Sequence, residues 1–117
     1  MIKIKQGDIV TIDFDPSKGS EIKKRRPALV ISRDAYNLAT PFIIVCPITS
    51  TDNKRPYLIP LVEPVEDGTL DKNSQVNTTQ IFTFDKTEKG ERDVKVIGHL
   101  NVAEFLLISQ YIEHNFR

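Results

Sequence analysis

No apolar run in this sequence exceeds about five residues, and each is soon closed by proline, glycine or charge. That punctuation predicts a succession of short strands. Asp8-Ile9-Val10-Thr11-Ile12-Asp13-Phe14 alternates polar and apolar after Gly7, the pattern of a half-buried strand. Asp15 to Ser20 is turn chemistry, with Pro16 fixing φ and Gly19 permitting positive φ. Pro27 pushes Arg26 towards extended geometry and introduces a second strand, Ala28 to Ser32, apolar enough to be buried on both faces. Arg33 to Thr40 is a short turn or a one-turn helix. Phe42 to Ile48 is a third strand, where Pro47 suggests an edge or a bulge. Arg55 to Val62 is a fourth, weakened by Pro56 and Pro60. Ser74 to Phe84 reads as one long polar-aromatic strand, Asp85 to Asp93 as a charged loop, and Val94 to Gly98 as a last strand. Only the end changes period. Asn101 is placed to cap a helix, with Glu104 in a capping-box arrangement and Val102, Phe105, Leu106, Ser109 and Ile112 on one stripe. Roughly six short strands and one terminal helix predict a mainly β fold, a small, strongly bent antiparallel barrel with a C-terminal helix.

At 117 residues the chain is expected to be a single domain spanning 1–117 with its own core. A single cysteine excludes an internal disulfide framework, and the short apolar runs exclude a membrane-spanning helix. Met1-Ile2-Lys3-Ile4-Lys5-Gln6 lacks the apolar core of a signal peptide, so a cytoplasmic protein is expected. The net charge is zero, which argues against a histone-like, purely electrostatic binder of nucleic acid. The charge is nevertheless uneven. Between Lys18 and Arg26 five basic residues face only Glu21, and a positive loop of this kind on a neutral protein suits a phosphate group.

Few residues offer chemistry. His99 and His114 are the only histidines and do not have metal-ligand spacing; each reads as a surface or capping group. Neither a serine nucleophile elbow nor a phosphate-binding glycine loop is present, and Cys46 reads as a small buried hydrophobe. What remains is a polar constellation at strand ends. Glu21, Arg25 and Arg26 precede the second strand, Thr49, Ser50, Thr51 and Asp52 follow the third, and Thr78, Thr79 and Gln80 lie on the later polar strand. Antiparallel pairing of the second and third strands would bring Arg26 near Thr49. A fixed charge beside a hydroxyl donor is a sound phosphate clamp.

Gly7-Asp8-Ile9-Val10, Asp13 to Glu21 and Arg26-Pro27-Ala28-Leu29-Val30-Ile31-Ser32 follow one another in an order and spacing that resemble the MazF/PemK family of toxin endoribonucleases. Pro47-Ile48-Thr49-Ser50, Ser74-Gln75-Val76, Gln80-Ile81 and the terminal helix fit the same pattern, so the resemblance runs from residue 7 to about 113. It implies an SH3-like, PemK-type barrel with a C-terminal helix, forming a homodimer. It implies a type II toxin that cuts single-stranded RNA at short sequences without a metal or other cofactor. A cognate antitoxin protein would hold it inactive, and the toxin–antitoxin complex would bind DNA. Carried over by residue, the catalytic positions are Arg26 and Thr49, with Glu21 at an acidic position. The residues expected to meet RNA are Lys18, Ser20, Lys23, Lys24 and Arg25 of the basic loop, with Ser50, Thr79 and Gln80 beyond it. One departure stands out: Ile22-Lys23-Lys24-Arg25 replaces the small, Gly-rich segment frequent in the family, making this loop bulkier and more basic.

RNA carries its own nucleophile, the 2′-OH, so an enzyme of this kind needs a base, a charge stabiliser and a donor. Arg26 suits the phosphorane charge and Thr49 a phosphate oxygen. A guanidinium holds its proton too firmly to serve readily as a base, which leaves Glu21 for that role. Phe82 could stack on a base, although Phe82 and Phe84 read more simply as core. Two alternatives stay open: a same-fold toxin binding DNA gyrase, like CcdB, and an SH3-like protein-interaction module. Leu107, Ile108 and Tyr111 extend the helix stripe beyond what one sheet covers, an independent reason to expect a second copy.

Overall fold

The computed structural model describes residues 3–14, 25–62, 70–71 and 73–116. Glu21, Lys18, Ser20, Lys23 and Lys24 therefore lie outside the described residues. Gly7 opens the first strand at φ +93°, and a Cβ there would sit 3.3 Å from the His99 ring, so glycine meets both a backbone and a packing demand. Strand β1 runs Asp8–Asp13 and β2 runs Arg25–Val30. A six-residue helix α1, Asp34–Ala39, leads to β3, Phe42–Ser50. Then come β4 Leu58–Pro60, β5 Ser74–Asn77, β6 Phe82–Asp85, a 3₁₀ turn Glu88–Gly90, β7 Lys95–His99 and helix α2 Val102–His114.

All pairings are antiparallel, in the order β4-β5-β3-β2-β1-β7, with β6 also on β3. The mainly β architecture with a C-terminal helix is as expected. Among the described residues, however, β4 and β7 end the order unpaired with each other, so hydrogen bonding does not close the sheet into a barrel. The seven strands exceed the expected six because the stretch Ser74–Phe84 is two strands, not one. Thr78 and Thr79 turn the chain there. β5 pairs with Ile48–Ser50 and β6 with Phe42–Val45, two successive stretches of β3. Pro47 falls between those stretches, where the partner changes, rather than at the strand's end. β4 is trimmed to three residues, Leu58–Pro60, and β2 begins earlier than expected, so Arg26 is a strand residue and not part of the preceding loop.

The sheet is covered on both faces. Val10, Ile12, Ala28, Val30, Ile43, Val45 and Phe84 form one core. Ile9, Leu29, Cys46, Ile48 and Val76 form the other, against Ile108 of α2. Ala28, Leu29 and Val30 are all fully buried, as the apolar run predicted. Asn101 caps α2, its Oδ1 accepting from Glu104 N at 2.8 Å. Glu104 does not reciprocate as a capping box would; its Oε2 accepts instead from Val62 N at 2.7 Å. The inward face of α2 is Glu104, Phe105, Ile108 and Ile112, whereas Val102 and Leu106 of the predicted stripe are exposed. Leu107 and Tyr111 are exposed beside them. Among the described residues no helix is long and apolar enough to cross a membrane.

Candidate active-site groove

Residues directly opposite in an antiparallel pair share a face, and side chains alternate faces along each strand. Ala28 pairs with Pro47, so Arg26, two residues before it in β2, and Thr49, two residues after Pro47 in β3, lie on the same face. Ile48 and Val76 pack towards α2, so Thr49 and its cross-strand partner Gln75 face away from the helix. On that side a groove of about 540 Å³ is lined by Arg26, Thr49, Ser50, Thr51, Asn53, Tyr57, Asn77 and Gln80, floored by Pro47, Ile48 and Leu58. Arg26 is exposed and Thr49 half-buried. Gln75 shapes one wall: its buried amide donates to Thr51 O at 2.9 Å and Asn53 O at 3.0 Å, holding the loop after β3. Buried amide bonds of this kind fix a loop that carries no regular structure of its own.

The structure brings Arg26, Thr49, Ser50 and Gln80 together in this groove. The Ser50 hydroxyl is 2.8 Å from Asp71 Oδ2 and 2.7 Å from Asn73 Oδ1, at the groove's outer lip. Thr79 adjoins the groove through Asn77, to which both its N–H and O–H donate. Arg25 does not line the groove. Its guanidinium donates to Asp93 Oδ2 at 2.9 Å, Thr11 O at 3.0 Å and Thr11 Oγ1 at 2.7 Å, and lies 3.7 Å from the buried Asp13 carboxylate. Thr78 is fully buried, its hydroxyl donating to Tyr57 O at 2.8 Å and its carbonyl accepting from Asn115 Nδ2 at 3.0 Å; it is a structural tie and cannot meet a base. Phe84 is core, and Phe82, 37% exposed, packs edge-on against Phe14. Asn53, Tyr57 and Asn77 were missed as groove residues. The signal for Asn77 was its position two residues from Gln75 on the same strand face, legible only once β5 is known to end there.

Outside the groove, His99 Nδ1 sits 2.6 Å from Asp8 Oδ1, at the end of β1 remote from the Ile12–Arg26 pair. Burial pushes the Cys46 thiol up to about 12, so it is inert packing. Hydrogen bonds from the Thr87 hydroxyl and N–H hold the Asp85 carboxyl below the usual carboxylate range, and burial lowers the Lys86 amine. Among the described residues no three His, Cys, Asp or Glu side chains are grouped to hold a metal ion.

The chain is 39% identical over 62 residues to the Endoribonuclease toxin MazF of Escherichia coli (strain K12), a match spanning 53% of this chain and 56% of the relative. The chain thus spans about half the length of the curated relatives it matches. In structure it superposes with a TM-score of 0.78 on MazF in the MazE-MazF crystal structure (Form-II) from Deinococcus radiodurans, at 23% identity over 99% of this chain and 97% of the other. It is similar, at TM-score 0.72 and 19% identity over 97% and 94%, to a mycobacterial endoribonuclease in complex with its cognate antitoxin. These two likenesses establish a shared fold. The profile described as "PemK-like, MazF-like toxin of type II toxin-antitoxin system" matches residues 5–116, nearly the whole chain, and the chain belongs to that family.

Proposed function

We propose that this protein is the toxin of a type II toxin–antitoxin system, a single-domain cytoplasmic endoribonuclease that cuts single-stranded RNA in the groove. The observation that carries the reading is the convergence of Arg26 and Thr49 on one groove, from two neighbouring antiparallel strands, each residue lying two positions beyond the Ala28–Pro47 pair. The chemistry follows from what each group can do. The 2′-oxygen attacks the adjacent phosphorus, its proton passes to a base, the bond from phosphorus to the 5′-oxygen breaks, and that oxygen takes up a proton. Arg26 stabilises the charge gathered on the phosphorane, and the Thr49 hydroxyl donates to a non-bridging oxygen. Glu21, which lies outside the described residues, is assigned the base on sequence grounds. The products are a 2′,3′-cyclic phosphate and a 5′-hydroxyl, and no step requires an ion.

The names of the relatives support this reading. Two Escherichia coli relatives are named endoribonucleases, and both solved relatives above contain an antitoxin. None of these four is named a gyrase poison or an interaction module. A protein antitoxin is the corresponding partner here, drawn to the basic segment Lys18–Arg26, and the toxin itself is a homodimer. The deciding substrate is an RNA oligonucleotide with a single 2′-deoxy position at the cut. It should resist cleavage there, while the all-ribose strand is cut in excess EDTA. Cleavage at the deoxy position would place water or a metal in the attack and overturn the mechanism.

A further inference from the structure

Asn77 is the last residue of β5 and lines the groove. Its amide has only one possible orientation. The Thr79 N–H lies 3.1 Å, and the Thr79 hydroxyl 2.7 Å, from the same Asn77 side-chain atom, Oδ1. A backbone N–H can only donate, so that atom is the carbonyl oxygen and not the amine. Both acceptor positions of Oδ1 are thereby in use. Nδ2 makes no hydrogen bond among the described residues, so the amide of this groove-lining residue has a donor to spare. An unrestrained asparagine can rotate to offer either a donor or an acceptor. This one is locked as a donor.

On the reading that the groove holds RNA, we propose that Asn77 determines specificity at one position of the cleaved sequence. Its Nδ2 donates to the exocyclic keto oxygen of a base, O4 of uracil or O6 of guanine. Cytosine and adenine carry an amino group at that place on the base edge, which opposes one donor with another and leaves both unpaired. A site built to hydrogen-bond one group discriminates strongly against an analogue that cannot answer it. Thr79 acts through Asn77: it does not touch the base but keeps the amide from turning over.

The test is cleavage of a single-stranded RNA pool with randomised sequence, with the cut ends sequenced for the wild-type chain and three variants. Wild-type protein should prefer a keto base at one position. Asn77→Ala should lower the keto-to-amino ratio there by about tenfold, the worth of one buried hydrogen bond left unmade. Asn77→Asp should turn the preference towards adenine and cytosine, because the carboxylate oxygen left to the groove accepts where the amine donated. Thr79→Val keeps the backbone N–H but loses the hydroxyl, and should blunt the same position by a smaller factor. Ratios within one pool are insensitive to an overall loss of rate, so a variant that is merely weakened does not mimic the effect. If Asn77→Asp fails to fold, Asn77→Ala and Thr79→Val decide. Sequence-specific cutting whose keto preference survives these substitutions overturns the inference and leaves the RNA reading intact. No cutting by the wild-type chain overturns both.

Discussion

Arg25 and Arg26 are adjacent on β2, and their opposite environments predict opposite phenotypes. Arg25 ties β2 to β1 and to the chain before β7. Replacing it by alanine removes the two hydrogen bonds to Thr11 and leaves the Asp13 carboxylate, 2% exposed with an Oδ1 that accepts no hydrogen bond, without the guanidinium 3.7 Å away. The pair with Asp93 adds little, because that carboxylate is 59% exposed and screened by water. Two hydrogen bonds at about 1 kcal/mol each and one orphaned buried charge give a destabilisation of about 3 kcal/mol. For a chain of this length that is a fall in Tm of roughly 10 °C. Arg26 is exposed on the groove, so Arg26→Ala should shift Tm by no more than about 2 °C while RNA cleavage falls by at least about 10³-fold. Thermal unfolding followed by circular dichroism, beside a cleavage assay well below both melting temperatures, reads the two effects separately. Adding Asp13→Asn to Arg25→Ala should return about 1 kcal/mol, since the uncompensated charge is then gone. The reasoning is refuted if Arg26→Ala melts as early as Arg25→Ala, or if Arg25→Ala melts like the wild type.

The other expectations concern separate parts of the molecule. Thr49→Ala should slow cleavage by about 10²-fold with an unchanged Tm, as for the loss of one donor to a developing charge, and an unchanged rate would remove Thr49 from the site. Exposed Leu106, Leu107 and Tyr111 on α2 should be covered by a second copy, so sedimentation at micromolar concentration should show twice the 13.3 kDa chain; a clean monomer would refute this. The Asp85 carboxyl is held low by Thr87, so its stabilising contribution is present above its unfolded pKa and lost as pH falls through the lower folded value. Thr87→Val should therefore raise the carboxyl titration midpoint seen by NMR, and an unmoved midpoint would deny the cause. Cys46, at about 12 and buried, should resist alkylation at pH 8 until denaturant is added.

Much of this protein was legible locally, and the failures share one cause. Alternation in Asp8–Phe14, the unbroken apolar run Ala28–Ile31 and the asparagine ahead of α2 are patterns whose meaning lies within a few residues, and each marks a real element, although β2 starts three residues earlier than its apolar run. Even the nearness of Arg26 and Thr49 was readable, because neighbouring antiparallel strands joined by a short connection bring the start of one beside the end of the other. The single strand inferred for Ser74–Phe84 was wrong because its polar and aromatic residues suit a strand throughout. Only the changing partners along β3 and the Thr78 tie to Tyr57 and Asn115 divide it. Arg25 looked like one more cation of a basic loop. Its structural role depends on Thr11, 14 positions away, and on the buried Asp13 carboxylate of the neighbouring strand, and no local pattern announces such partners. Sequence determined which segments are strands and which faces are apolar, since those follow from the period of side-chain placement along the chain. Tertiary structure alone decided which polar groups are satisfied by one another and which are left to the groove, because a hydrogen bond of about 3 Å is set by the meeting of distant backbones and not by spacing along one.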